Sequence, residues 1–301
     1  MPDSVPSFKS LFSLRHIIGV LLAAFVALSL PGCSAVKLGY RGAPEWTYWW
    51  LDSYLDFDDA QSRKLRADLS ALQSWHRRHE LPLYVSALQK LQVLAPSDVR
   101  PAQLCALVDE LRPRFQALLD QAEPTLVALA PTLSSAQLEH LARKFDKRRQ
   151  KWRDEWLAGT PTERRAYRLK KQLERFESFY GSLEKTQLES LSASLAESVF
   201  DADLSYRELA RRQDDALLTL RRWQHGARAN PDLNAAMHAL LSRVMKRPAD
   251  GDQDYSEQLM QDRCRTVAKV HNSTTLAQRK RLMETLKDYE TDARSLQAKS
   301  P

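Results

Sequence analysis

Leu133-Ser134-Ser135-Ala136-Gln137-Leu138 spells out the start of a helix. The Ser134 hydroxyl can accept a hydrogen bond from the backbone N–H three residues on, and the Gln137 side chain can reach back to the N–H of Ser134. Together they form a capping box, which satisfies donors that every helix N-terminus leaves orphaned. Leu133 and Leu138 stand at the spacing of a hydrophobic staple across it. Downstream, Leu138, Leu141, Phe145, Trp152 and Trp156 recur at helical intervals. Such a stripe has to be buried against a neighbouring element.

The same device recurs along the chain. Ala60-Gln61, Ala102-Gln103, Thr186-Gln187 and Ala277-Gln278 repeat the Ala136-Gln137 pair, and each Gln is followed four residues on by a Leu: Leu65, Leu107, Leu141, Leu191 and Leu282. Asp58, Ser134 and Thr275 stand where an N-cap belongs; Arg100 and Glu184 occupy that place in the other two. The intervals between these glutamines, 42, 34, 50 and 91 residues, are too uneven for a solenoid. Further stripes run through Leu65, Leu69, Leu72 and Trp75, through Tyr206, Leu209, Leu217, Leu220 and Trp223, and through Leu282, Leu286, Tyr289, Ala293 and Leu296. Prolines at 82, 96, 101, 113, 124, 131 and 231, with Gly159-Thr160-Pro161 and Gly181, punctuate them. No stretch shows the alternation of a strand. Only 8 glycines occur, few for a chain built on tight turns. The expectation is an all-α protein: an irregular multi-helix bundle of about nine or ten helices, compact or elongated, with kinks at Pro113 and Pro124.

The amino terminus reads differently. Lys9 and Arg15 precede an uncharged run from Ile17 to Leu30, 14 residues long. That is short for a membrane span and right for the apolar core of a signal peptide. Leu30-Pro31-Gly32-Cys33 follows, and resembles the lipobox of bacterial lipoproteins, which implies acylation of Cys33 and cleavage after Gly32. Ser34 stands where an Asp would resemble an inner-membrane retention signal, which favours the outer membrane. The layout expected is a signal peptide over 1–32, a lipidated N-terminus and tether over 33–43, and a single helical domain over 44–301. No cofactor is expected beyond the covalent lipid on Cys33.

Trp46, Tyr48, Trp49, Trp50 and Tyr54 crowd into nine positions after the tether. They can sit at a lipid interface or pack a first helix into the core, the simpler reading. Cys105 and Cys264 remain once Cys33 is committed to lipid, an even number in an oxidising compartment, and are expected to form a disulfide. The formal charge is +7, of which residues 1–32 contribute +1, leaving +6. Much of it lies in one run, and Arg143, Lys147, Arg148, Lys151, Arg164, Arg168 and Lys171 are read as a candidate face for an anionic ligand. The plainer reading is a solvated, ion-paired surface.

Two resemblances bear on function. The helix starts resemble the motif of small periplasmic chaperones of the Spy and CpxP type. The wider layout comprises the lipobox, Tyr48-Trp49-Trp50-Leu51-Asp52-Ser53-Tyr54-Leu55-Asp56-Phe57-Asp58-Asp59-Ala60-Gln61, Trp75-His76-Arg77-Arg78-His79-Glu80-Leu81-Pro82, Trp152-Arg153-Asp154-Glu155-Trp156-Leu157 and His271-Asn272-Ser273-Thr274. It resembles a family of bacterial lipoproteins of unknown function. That resemblance implies an envelope location and a helical fold, and brings no activity with it.

Catalytic signals are thin. His76 and His79 share a helix face with Glu80 next to them, but the order is not that of a zinc protease, and no third ligand can be named. Asp250, Asp252 and Asp254 alternate like a calcium loop, yet Tyr255 replaces the required Gly and Gln261 the required Glu. Asp56, Asp58 and Asp59 suit a helix start as well as acid–base work. Neither a phosphate-binding glycine loop nor a nucleophile elbow is present. No catalytic residue and no metal ligand is assigned. The chain is therefore expected to be a non-enzymatic, outer-membrane-anchored periplasmic protein with a binding or chaperone-like role. Its partners would be the membrane through its anchor, and envelope proteins or anionic lipid, not nucleic acid. An envelope enzyme or accessory subunit using His76 and His79, and a lipid or lipopolysaccharide transport factor, are the alternatives. A deep pocket joining His76 to other polar groups would favour the enzyme; an open apolar groove with a basic rim would favour binding.

Overall fold

The computed structural model describes residues 35–226, 231–245 and 252–297. The expected leader and Cys33 lie outside the described residues. The chain divides into two compact units, Met1–Arg41 and Gly42–Pro301.

Eleven α-helices are described, and no strand occurs among the described residues. They are α1 (Ala35–Leu55), α2 (Asp59–His79), α3 (Leu81–Leu94), α4 (Pro101–Leu129), α5 (Ser135–Trp152), α6 (Pro161–Tyr180), α7 (Lys185–Ala196), α8 (Ala202–Gly226), α9 (Pro231–Met245), α10 (Asp252–Asn272) and α11 (Leu276–Gln297). A 3₁₀ turn, Ala130–Thr132, extends α4, and a π-turn, Arg153–Leu157, extends α5. The count exceeds the nine or ten read from periodicity. One break is a single residue long: α2 yields to α3 at Glu80, where Pro82, lacking an N–H, sits in the first turn of the new helix. A second difference lies at the amino end. Residues 35–43, read as a tether, are helical, and α1 carries Pro44 inside it. Pro113 and Pro124 lie within α4 without ending it.

The capping chemistry is present as expected. Asp58 Oδ1 accepts from the N–H groups of Ala60 and Gln61, each at 2.8 Å. Ser134 Oγ accepts from Gln137 N and Thr275 Oγ1 from Gln278 N, both at 3.2 Å.

Four of the five repeated glutamines do more than cap. Gln61 and Gln137 are buried side by side, and Gln137 Nε2 donates to Gln61 Oε1 at 2.8 Å. Each then reaches the turn before the other's helix. Gln61 Nε2 donates to the Thr132 carbonyl at 2.9 Å, and Gln137 Nε2 to the Asp56 carbonyl at 2.8 Å. Gln187 and Gln278 repeat the arrangement: the amides exchange bonds of 2.8 and 2.9 Å, Gln187 Nε2 donates to Ser273 O and Gln278 Nε2 to Ser182 O, both at 2.9 Å. In all four cases the carbonyl reached stands five residues before the partner glutamine. Each Oε1 still accepts from the N–H of its own cap residue, at 2.8 to 3.0 Å. A side-chain amide in a dry interior is costly unless satisfied; these two clamps satisfy theirs while pinning α2 to α5 and α7 to α11. The turns oblige. Asp56 takes φ 50° and Gly181 φ 76°, left-handed conformations that Asp tolerates and Gly adopts freely. Gln103, with the same sequence signature, bonds only the Arg100 N–H of its own helix start.

Apolar packing completes the unit. Phe176, Tyr180, Leu191, Val270, Leu282 and Leu286 form one cluster across α6, α7, α10 and α11. Trp223, Met237, Leu240 and Leu241 form another between α8 and α9, and Tyr48, Leu65 and Leu129 join α1, α2 and α4. Cys105 on α4 and Cys264 on α10 are disulfide-bonded, with Cα atoms 5.8 Å apart.

Candidate functional site

Helix α11 lies along α3, and polar contacts lock the two together. Buried Glu290 accepts hydrogen bonds from Gln89 and Gln92 of α3 and from Lys287 and Arg294 of its own helix, all between 2.9 and 3.0 Å. Those donors, Gln92 first, hold its carboxyl down at about 2. At the far end of α3, Asn272 brackets Val99: its Oδ1 accepts from Val99 N at 2.8 Å and its Nδ2 donates to Val99 O at 3.0 Å. His271 is buried beside it. The Tyr180 hydroxyl stands 2.9 Å from Nδ1, and Nε2 stands 2.9 Å from the Ser97 carbonyl. A carbonyl only accepts, so the Nε2 proton is present; in the neutral ring, which burial favours, Nδ1 accepts from Tyr180. Burial keeps the His271 imidazole below its ordinary range and pushes the Tyr180 phenol up to about 12. The His271-Asn272-Ser273-Thr274 run thus holds the turn between α3 and α4.

Above this locked seam a groove of about 440 Å³ lies open. Pro96, Leu276 and Met283 supply its apolar lining, and Leu276 is 85% exposed. Arg279, Lys280 and Lys287 form the rim, with Glu284 and Gln92 between them. Arg279 is held in place by the Pro96 carbonyl at 3.1 Å and by Asp98 at 2.5 Å. Lys280 stands 3.9 Å from Glu284, both well exposed, a weak pairing in water. The groove therefore offers an apolar surface bordered by three cations, each beside a carboxylate: Arg279 with Asp98, Lys280 with Glu284 and Lys287 with Glu290.

The chain belongs to a family of unknown function, DUF6279, which it matches over residues 53–244. No curated protein and no solved structure matches it. The DUF6279 match takes in α2 to α8 and all but the last residue of α9, and with them the Gln61–Gln137 clamp, Gln187 and the α3 wall of the groove. It stops before α10 and α11, which bring Cys264, His271, Gln278 and the opposite wall.

The residues singled out from sequence are dispersed. The His76 ring stacks on Tyr84 at 5.6 Å and the His79 ring on Trp75 at 5.9 Å, so the two imidazoles serve separate aromatic pairs. Burial keeps His76 below its ordinary range despite Glu80 nearby. Glu80 itself is buried, 3.8 Å from Arg114. Among the described residues no group of three His, Cys, Asp or Glu side chains is placed to hold a metal ion. Asp58 is a helix cap, and Asp56 supplies a carbonyl to a clamp. Asp250 lies outside the described residues, and Asp252 opens α10.

The basic run is split between α5 and α6 by the π-turn. Arg143, Lys147, Arg148 and Lys151 are exposed on α5. On α6, Arg168 turns inward, donating to Leu195 O at 2.9 Å and Ser198 Oγ at 2.6 Å and lying 4.6 Å from the Phe200 ring. Arg164 donates to the Leu157 carbonyl at 2.9 Å, and Lys171 pairs with Glu174 at 3.1 Å. Arg164, Arg168 and Lys171 are thus engaged locally. The groove residues Leu276 and Met283 went unnoticed in the sequence because a lone exposed Leu or Met carries no signal by itself.

Proposed function

We propose that this chain is a lipid-anchored protein of the bacterial envelope, held at the periplasmic face of the outer membrane, and that it works by binding rather than by catalysis. The observation that carries the binding half is the α3–α11 groove: an apolar lining edged by the exposed Lys280 and Lys287 suits an amphipathic ligand that carries some negative charge, such as an extended segment of an unfolded client bearing acidic residues. The likeness of its helix starts to those of Spy- and CpxP-type chaperones supports a client of that kind. The lipobox at Cys33 and the disulfide between Cys105 and Cys264 support the compartment, since such bonds persist outside the reducing cytosol. None of the described helices is long and apolar enough to cross a membrane; the attachment proposed is the lipid on Cys33. Nothing about His76 favours the enzyme alternative, because none of the groove's walls involves it.

A photo-reactive residue at Met283, introduced in intact cells, tests the reading. Covalent adducts with envelope polypeptides at Met283, absent from the exposed control position Glu189, are the expected result, with the chain recovered in the outer-membrane fraction. Equal labelling at both positions, or none at Met283, would overturn the groove as the binding surface.

A further inference from the structure

Helix α1 leaves three indole rings in solvent, more than any other described helix. Tyr48 is packed inside, but Trp46, Trp49 and Trp50 remain 51%, 57% and 58% exposed. Their spacing of three and four residues puts all three on one face of the helix. The Trp46 ring covers Gly42, where a Cβ would come within 3.1 Å of it. The expectation that these rings fill the core thus holds for Tyr48 alone.

From this face we infer that α1 is a membrane-docking element whose occupant is the lipid–water interface. An indole has an apolar body and a polar N–H, the combination that the headgroup layer accommodates and bulk water does not. The surrounding charge fits a surface of anionic headgroups. Tyr54 links Trp50, at 5.1 Å, to Phe145 on α5, at 6.3 Å. The exposed Arg143, Lys147 and Arg148 lie within one turn of Phe145, and among the described residues none of them is ion-paired; Asp146 is the one acid in that stretch. Cations near a bilayer add to the attraction of anionic lipid. Sequence distance agrees. Trp46 follows Cys33 by thirteen residues, and from Ala35 onward these are helical, so the eleven steps from Ala35 to Trp46 rise only about 17 Å. An acyl group on Cys33 therefore keeps these rings within reach of a bilayer, and the rings turn a single-point tether into a surface contact with a defined orientation.

The inference rests on the envelope reading for which membrane is met, but its test is separate. The full chain purified from cells is mixed with vesicles of phosphatidylethanolamine and phosphatidylglycerol carrying bromine on the upper acyl chain, which quenches indoles that enter the interface. The expected result is quenching of the wild-type emission that disappears in the W46S/W49S/W50S variant, whose remaining emission comes from Trp75, Trp152, Trp156 and Trp223. Trp49→Arg, which disturbs only an exposed position, should weaken the quenching by itself and serves if the triple variant fails to fold. A vesicle-bound, acylated chain whose emission is unquenched overturns docking while leaving the anchor standing. Quenching of a chain that mass spectrometry shows to be unacylated overturns the anchor while leaving docking standing. Self-association through this face without quenching also overturns docking.

Discussion

Replacing Gln278 by alanine removes four hydrogen bonds at once. Its Oε1 caps the Thr275 N–H and accepts from Gln187, while its Nε2 reaches Ser182 O and Gln187 Oε1. The side chain is buried, so water does not readily replace it. A buried donor or acceptor left without a partner costs about 1–3 kcal/mol. Two backbone groups and one amide partner are affected, with relaxation returning part of the cost, so the loss expected is about 3–5 kcal/mol, at the severe end for one substitution. Gln103→Ala removes one bond at a part-exposed helix start, and is expected to cost under about 1 kcal/mol. Because Gln187 and Gln278 share their amide bonds, Q187A/Q278A should cost less than the two single changes combined, by about 1–3 kcal/mol. Gln61→Ala, in the other clamp, shares no partner with Gln278 and should add to it. Urea unfolding followed by circular dichroism, with midpoints compared at unchanged slope, measures all of these. A cost for Gln278→Ala no larger than that for Gln103→Ala, or strict additivity of Q187A and Q278A, would refute the clamp.

Three further outcomes are expected. His271 is buried neutral with a lowered pKa, so its contribution to stability is complete above its ordinary value of 6.5 and is lost as pH falls below it, because the unfolded chain then binds a proton that the folded one resists; His76 acts in the same sense. Stability measured from about pH 7.5 down to about 5 should fall less steeply in His271→Gln than in the native chain. Opening the Cys105–Cys264 bond, by reductant or by C105S/C264S, should lower stability by up to about 5 kcal/mol for a separation of 159 residues; an unchanged denaturation midpoint in reductant would show the bond to be dispensable. Cys33→Ala should abolish incorporation of a fatty-acid analogue, and undiminished labelling of that variant would remove the lipid anchor.

The sequence by itself determined the class of structure. Helical period, capping residues and proline punctuation are local, involving partners within about one turn, and so Asp58, Ser134 and Thr275 could be named as caps before any tertiary contact was known. It could also bring Cys105 and Cys264 together as the pair left after Cys33. It gave about nine or ten helices, with Pro82 among the breaks, against the eleven described.

What only the tertiary structure decided lies in pairings between distant segments. Five glutamines carry one signature, yet Gln61 finds Gln137 and Gln187 finds Gln278, while Gln103 caps its own helix and no other. The choice depends on which helix starts pack face to face, 76 or 91 residues apart in sequence. The groove is likewise made only when α11 is laid along α3, which places Met283 and Leu276 against Pro96. The basic run shows the reverse. It is continuous in sequence but divided in space, because Arg168 turns inward to Leu195 and Ser198 while Arg143, Lys147 and Arg148 stay in solvent. A local pattern states what a side chain can do; the element packed across from it decides whether a glutamine is a cap or a clamp, and whether a tryptophan is core or surface.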